Sequence, residues 1–212
     1  MNKNKSIEFF ESQFQRQVEE RDFELNSFEL WALEYLRGSI LDLGCGLGNL
    51  SLEAGRRGHK VHAVDVSKTA IDRINDEASR HNLDVRAEQR NIANYVIDQD
   101  YDSIVAIGLL MFFPCERAIE LLSNIQKCLN PGGIAVINVL TEGTTFMGMF
   151  NQNDYCLFEP NELTTRFSGW KIMKFSQDSY LAPESTTKDF DTIIAEKPES
   201  IVDSKSTMCQ IA

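Results

Sequence analysis

Hydrophobic positions along this chain follow two rhythms. Short, mostly apolar runs occur at Ile40–Leu43, Val61–Val64, Ser103–Leu109 and Ile134–Leu140. Such runs are the pattern of strands buried on both faces. Between them the period is helical. Ala70, Ile71, Ile74 and Ala78 share one face of a stretch that Ser67 can cap and Asn82 can end. A second helix is expected from Cys115 to about Leu129, broken by Asn130-Pro131-Gly132-Gly133. Val85–Gln89 reads as a further strand. Strands and helices in alternation predict an α/β fold with a doubly wound, mostly parallel sheet.

The flanks are less regular. Phe9, Phe10 and Phe14, then Phe28, Trp31, Leu33, Tyr35 and Leu36, recur near helical spacing. They predict two N-terminal helices over residues 6–36 with a charged joint, the second capped by Asn26 or Ser27. The first helix has two open roles: packing at the sheet edge, or a lid over a ligand. Downstream, a short helix is expected at Glu159–Phe167, a strand at Trp170–Ser176, a loop over SQDSYLAPESTT, and a last strand at Phe190–Glu196, antiparallel at or near the edge. The expected division is a helical segment 1–38, a domain 39–197 and a disordered tail 198–212. Residues 141–159 join two elements without a clear period. A connection of nineteen residues is long, and its aromatic content argues against disorder. It either covers a substrate or merely caps the sheet.

The chemistry concentrates in residues 40–66. An apolar run ends in Gly44-Cys45-Gly46-Leu47-Gly48, a helix-compatible stretch follows, and a second run ends on Asp65. This is a βαβ unit with a glycine turn at a helix N-terminus. Asp65 can accept two hydroxyl hydrogen bonds from a ribose. The dinucleotide pattern G-x-G-x-x-G has its third glycine where this chain has Asn49. Asp42, facing the turn, would repel a pyrophosphate and suit a ligand carrying an ammonium group. A dinucleotide turn with an unusual third position is the competing reading.

Composition narrows the partners. The chain has 212 residues and 42% hydrophobic residues, enough for one sizeable core. Its formal net charge is −11, which disfavours nucleic acid and leaves a small molecule as the expected partner. No apolar run is long enough to span a membrane, and the first residues lack the apolar core of a secretory signal. Five widely spaced cysteines, none in a C-x-x-C pair, suggest neither a disulfide framework nor a metal site. A cytoplasmic location is therefore expected, with no bound metal.

The stretch LDLGCGLG resembles motif I of the class I S-adenosylmethionine (SAM)-dependent methyltransferases, and the Pro-Gly-Gly turn into a strand strengthens the resemblance. Leu109-Leu110-Met111-Phe112-Phe113, NIQKCLNPGG and FSGWKIMKFSQD make the chain most similar to the tellurite-resistance methyltransferases. The resemblance implies a Rossmann-like, seven-stranded sheet with its last strand antiparallel, and SAM as cofactor. It places Asp42, Gly44, Cys45, Gly46, Gly48, Asp65, Val66, Ile107 and Gly108 around the cofactor. Asn91 and Ile92 would serve its adenine, with Asn91 replacing the commoner Asp. Such enzymes methylate soft species of tellurium and selenium. They also carry a His-Arg pair in the loop after the sixth strand, where this chain has Pro183-Glu184. That departure weakens the case for an oxyanion acceptor.

No histidine is placed to act as a base: His59 and His62 fall at the amino edge of the second strand, and His81 ends a helix. Met111, Phe112, Phe146, Met149 and Cys156 give the expected acceptor region an apolar, sulfur-bearing lining, with Asp178 as the carboxylate to orient a substrate. A soft acceptor (thiol, selenium or tellurium species) follows, because it needs no deprotonation by the enzyme. A metabolite oxygen or nitrogen, or a non-catalytic SAM-binding role, are the alternatives. No catalytic residue is assigned.

Overall fold

The structure is a computed structural model that describes residues 4–152 and 154–199. Helices α1 (Lys5–Glu20) and α2 (Ser27–Leu33) come first. The alternating core follows as β1 (Ser39–Leu43), α3 (Asn49–Arg56), β2 (Lys60–Asp65), α4 (Lys68–His81), β3 (Val85–Gln89), β4 (Tyr101–Ile107), α5 (Cys115–Lys127) and β5 (Leu129–Leu140). It closes with α6 (Glu162–Arg166), β6 (Lys171–Ala182) and β7 (Thr186–Glu196). The seven strands lie in the order β3-β2-β1-β4-β5-β7-β6. Among the described strands only the β5–β7 and β7–β6 pairs are antiparallel.

Alternation along the central strands feeds two cores, one on each face. Ile104, Ala106, Ala135, Ile137 and Val139 pack with Leu121, Leu122 and Ile125 of α5 and Leu163 of α6. Val105, Ile134 and Val136 point the other way, to Leu33 of α2, Leu50 and Leu52 of α3 and Ile74 of α4. A third cluster of Met111, Leu140, Met149 and Phe150 sits beyond the carboxyl ends of the strands.

Helix ends follow their cap residues. Asn26 and Glu29 form a reciprocal capping box on α2, with Asn26 Oδ1 accepting from Glu29 N and Glu29 Oε2 accepting from Asn26 N. Ser67 Oγ accepts from Ala70 N at the start of α4, and Asn82 ends that helix in the left-handed region.

Three expectations need correction. Asn130-Pro131-Gly132-Gly133 does not precede the fifth strand but lies within it. Tyr101 pairs with Leu129 and Ser103 with Ile134, so the turn is absorbed as a bulge. The expected SQDSYLAPESTT loop is a long β6–β7 hairpin, turned by Pro183–Ser185 with Glu184 at φ 60°. β6 is an edge strand with little burial, so it carries no continuous apolar run to mark it. Third, Cys115 and Cys156 form a disulfide with an S–S distance of 2.08 Å. They lie 41 residues apart in sequence, and only the fold brings the start of α5 beneath the loop after β5. The end of the 198–212 tail, residues 200–212, falls outside the described residues. Among the described residues no helix is long and apolar enough to cross a membrane.

Candidate cofactor and acceptor site

Strand order reverses between β1 and β4, and the crevice beyond their carboxyl ends is where such sheets bind ligands. The glycine loop leaves β1 there. Gly44 N and Cys45 N both donate to Val64 O of β2, at 2.8 and 3.2 Å, folding the loop back across the sheet end. Gly48 opens α3 at φ +74°, and a Cβ there would lie 2.3 Å from Ile74 Cγ1. Any other residue would thus be strained and would clash with α4. Gly46 N donates to Asp65 Oδ2 at 3.0 Å, and Ser67 N donates to Asp65 Oδ1 at 2.8 Å. The Asp65 carboxylate therefore ties the loop to the end of β2.

The electrostatics of the crevice are one-sided. Asp42 is 4% exposed, with Ser51 Oγ donating to it at 2.6 Å. Burial pushes its carboxyl up to about 7, with Ser51 opposing and Glu29 and Asp65 adding to the rise. Burial also raises Glu29 and Asp65 above the usual carboxylate range. Three acids held upward on one wall describe a place for a cation. Asn49 Oδ1 is buried beside them without a hydrogen-bond partner, while its Nδ2 donates to Glu24 O at 3.2 Å. The free oxygen, the acids and the glycine cradle fit the ammonium and ribose of SAM, and they do not fit a diphosphate.

At the other end, Asn91 Oδ1 caps a short turn by accepting from Ala93 N at 3.0 Å, and Ile92 is buried. Arg117 of α5 holds that turn, donating from Nη2 to Ile92 O at 3.1 Å and to Tyr95 O at 2.8 Å. Arg117 lines the cavity, and no motif in the sequence marks it.

One cavity of about 1130 Å³ joins these groups. Its wall includes Asp42, Gly44, Cys45, Gly46, Gly48, Asp65, Val66, Asn91, Ile92, Ile107 and Gly108, so the fold gathers the whole expected cofactor set. Met111, Phe112 and Met149 line it too, joined by Asn138, Leu140, Lys188 and Phe190, which sequence reasoning missed. Three expected acceptor residues are not on the wall. Phe146 packs behind it, against the Met111–Met149 cluster. Cys156 is consumed by its bond to Cys115 and offers no thiol to a substrate. Asp178 lies mid-strand on β6 in register with Phe190, with Oδ2 buried and unpartnered, and is not among the residues lining the cavity.

α1 lies across the mouth of the cavity. Phe10, Glu11 and Phe14 face inward, and Phe10 meets Phe112 edge-on with ring centroids 5.0 Å apart. Glu11 accepts from Ser67 Oγ at 2.6 Å and from Thr69 Oγ1 at 2.5 Å, fixing α1 to the start of α4.

Fold and site together define the class I SAM-dependent methyltransferases. Within that class the chain belongs to the family described as "Tellurite resistance protein TehB", whose sequence model matches residues 29–183. The chain is 29% identical over 171 residues to "Hemagglutinin 1" of Eikenella corrodens, covering 74% of this chain and 54% of that protein. It is 28% identical over 141 residues to a probable SAM-dependent methyltransferase TehB of Haemophilus influenzae, covering 66% of this chain and 48% of that protein. The chain thus spans about half the length of these relatives. The crystal structure of TehB from Haemophilus influenzae superposes with a TM-score of 0.70 at 22% identity, over 82% of this chain and 62% of that one.

Proposed function

We propose that this protein transfers the methyl group of SAM to a small molecule with a soft acceptor atom. The observation that carries this reading is a single cavity with two characters. Its cofactor end is acidic and glycine-walled, and its far end is lined by Met111, Phe112, Leu140, Met149 and Phe190. None of the three histidines lies on its wall. SAM, when bound, supplies an electrophilic methyl on a sulfonium.

Each part of the site has a separate task in this reading. Asp65 takes the ribose hydroxyls, Asp42 and Glu29 face the ammonium, and Asn91 and Ile92 take the adenine. Phe10, Phe112 and Met149 exclude water and hold the acceptor in line, and alignment of this kind lowers the barrier by several kcal/mol. A thiolate or a chalcogen lone pair reacts without a base, which matches a wall without histidine. α1 serves as the lid, because its inward aromatics close the route by which the cofactor must enter. The partner is a small molecule rather than nucleic acid, consistent with a net charge of −11.

The test is a survey of acceptors with purified protein, SAM and product detection by mass spectrometry. Methylated thiols or selenium species are the expected products. Turnover of only hydroxyl or amine compounds would overturn the soft acceptor, and cofactor binding without any methyl loss would leave a binding module instead. In thermal shift, SAM and its demethylated product should stabilise the fold and NAD should not.

A further inference from the structure

The far end of the cavity holds a cation that the methyl-transfer reading does not use. Lys188 stands near the start of β7, on the carboxyl edge of the sheet, and lines the cavity beside Phe190. Its Nζ lies 4.7 Å from the centroid of the Phe146 ring. Among the described residues no carboxylate pairs with it. Asp154 shares the cavity wall but takes a hydrogen bond from Asn151 Nδ2 at 3.2 Å, and Asp189 takes one from Ser179 Oγ at 2.6 Å. Half-burial holds the Lys188 ammonium below the ordinary lysine range, and no opposite charge counters that effect. An ammonium partly removed from water without a counter-ion is unfavourable unless something compensates. The aromatic face compensates in part.

We propose that Lys188 is the specificity-determining residue of the acceptor end, and that the acceptor is an organic anion. Its apolar body lies against Phe112, Met149 and Phe190, and its negative group pairs with Lys188. This deepens the reading of the cavity as a methyl-transfer site and rests on it. The size and character of the wall separate this acceptor from a bare inorganic oxyanion. A small, fully hydrated ion would leave the methionine and phenylalanine surface unfilled, and Lys188 at this end, with Arg117 held at the Asn91–Ile92 end, makes no cage around it. An aryl or alkyl thiol carrying a carboxylate fits both features. In the reaction the thiol first gives its proton to solvent, a lone pair of the thiolate sulfur forms the new bond to the methyl carbon, the bond from that carbon to the sulfonium breaks with its electrons going to the sulfur of departing S-adenosylhomocysteine, and the carboxylate is unchanged.

The experiment compares matched acceptors on the full chain. 2-Mercaptobenzoate and thiophenol share a body and differ in charge, and cysteamine supplies the opposite charge. Initial rates are measured for the wild type, Lys188→Met, Lys188→Arg and Lys188→Glu, and binding of S-adenosylhomocysteine to each is measured by calorimetry. In the wild type, kcat/KM for the mercaptobenzoate should exceed that for thiophenol by about tenfold or more. Lys188→Met should erase that preference mainly through KM, since the charge pair is made equally before and during reaction. Lys188→Arg should restore it, and Lys188→Glu should shift the preference toward cysteamine.

Equal rates on the two aryl thiols, or a preference that survives Lys188→Met, would overturn the proposal. So would an Arg variant as slow as the Met variant, which would assign Lys188 to proton transfer, and so would turnover of selenite with no organic thiol. Loss of S-adenosylhomocysteine binding in the Lys188 variants would show a structural role and also overturn it. Absence of that binding in the wild type would overturn the methyl-transfer reading itself, and this proposal with it.

Discussion

Asp65 shows how one residue can be both a ligand group and a structural one. Its two oxygens hold Gly46 N and Ser67 N, so the carboxylate that would meet the ribose also shapes the loop around it. Asp65→Ala should therefore weaken SAM binding by more than about tenfold in calorimetry, because charged hydrogen bonds are lost and the loop is released. Asp42 makes a pH prediction. Its folded carboxyl titrates near 7, whereas unfolded it would titrate close to its ordinary value of 3.8. The folded state keeps a proton that the unfolded state has lost, so stability from this group is complete at low pH and falls as pH rises from about 4 to about 7. Thermal melts from pH 5 to pH 8 should show this decline, and Asp42→Asn should flatten it. A cationic ligand favours the ionised carboxylate, so cofactor affinity should rise across the same window. The Asp42–Asp65 pair was legible at this scale, since both belong to the βαβ unit around the glycine turn in the sequence itself, whereas Glu29, which comes from α2, was not. Lys188 and Arg117 were not, because each lies in an ordinary stretch and gains meaning only from what it faces.

At the scale of elements, α1 covers the cavity. Its inward aromatics line the cavity, and Glu11 provides its polar attachment to Ser67 and Thr69. Glu11→Ala should raise hydrogen-exchange rates along Lys5–Glu20 while leaving β1 and β4 protected. Bound SAM should slow that exchange if the helix is the lid. Helices and central strands were readable because each carries its own period and its own caps. The β6–β7 hairpin was not, because its polar residues face solvent on an edge and mimic a loop. The bulge at Pro131-Gly132-Gly133 was hidden for a related reason. Proline and glycine ordinarily end a strand, but here the register with β4 resumes two residues further along that strand and five further along β5.

Across the whole molecule, the Cys115–Cys156 bond staples the loop after β5 to α5, on the side of the cavity that carries Met111 and Met149. Closing a loop with a sequence separation of 41 residues restricts the unfolded chain. Cys115→Ser should lower stability by up to about 4 kcal/mol on the chain-entropy account, read as a fall in the melting midpoint, and thiol reductants should lower the midpoint of the wild type as well. The same closure shows why an acceptor role for Cys156 fails: a sulfur whose partner is distant in sequence looks free until the topology is known.

The sequence by itself determined the alternating sheet, the glycine cradle, the acidic pair and the expectation of a sulfonium nucleoside, since each is encoded within a few dozen contiguous residues by period, spacing and charge. Tertiary structure alone decided the acceptor end. There the wall is assembled from a turn after β4, the strand β5, a long loop and the incoming β7, segments up to about eighty residues apart. Local pattern carries no information about which of them meet, and burial, charge pairing and sulfur chemistry all depend on that meeting.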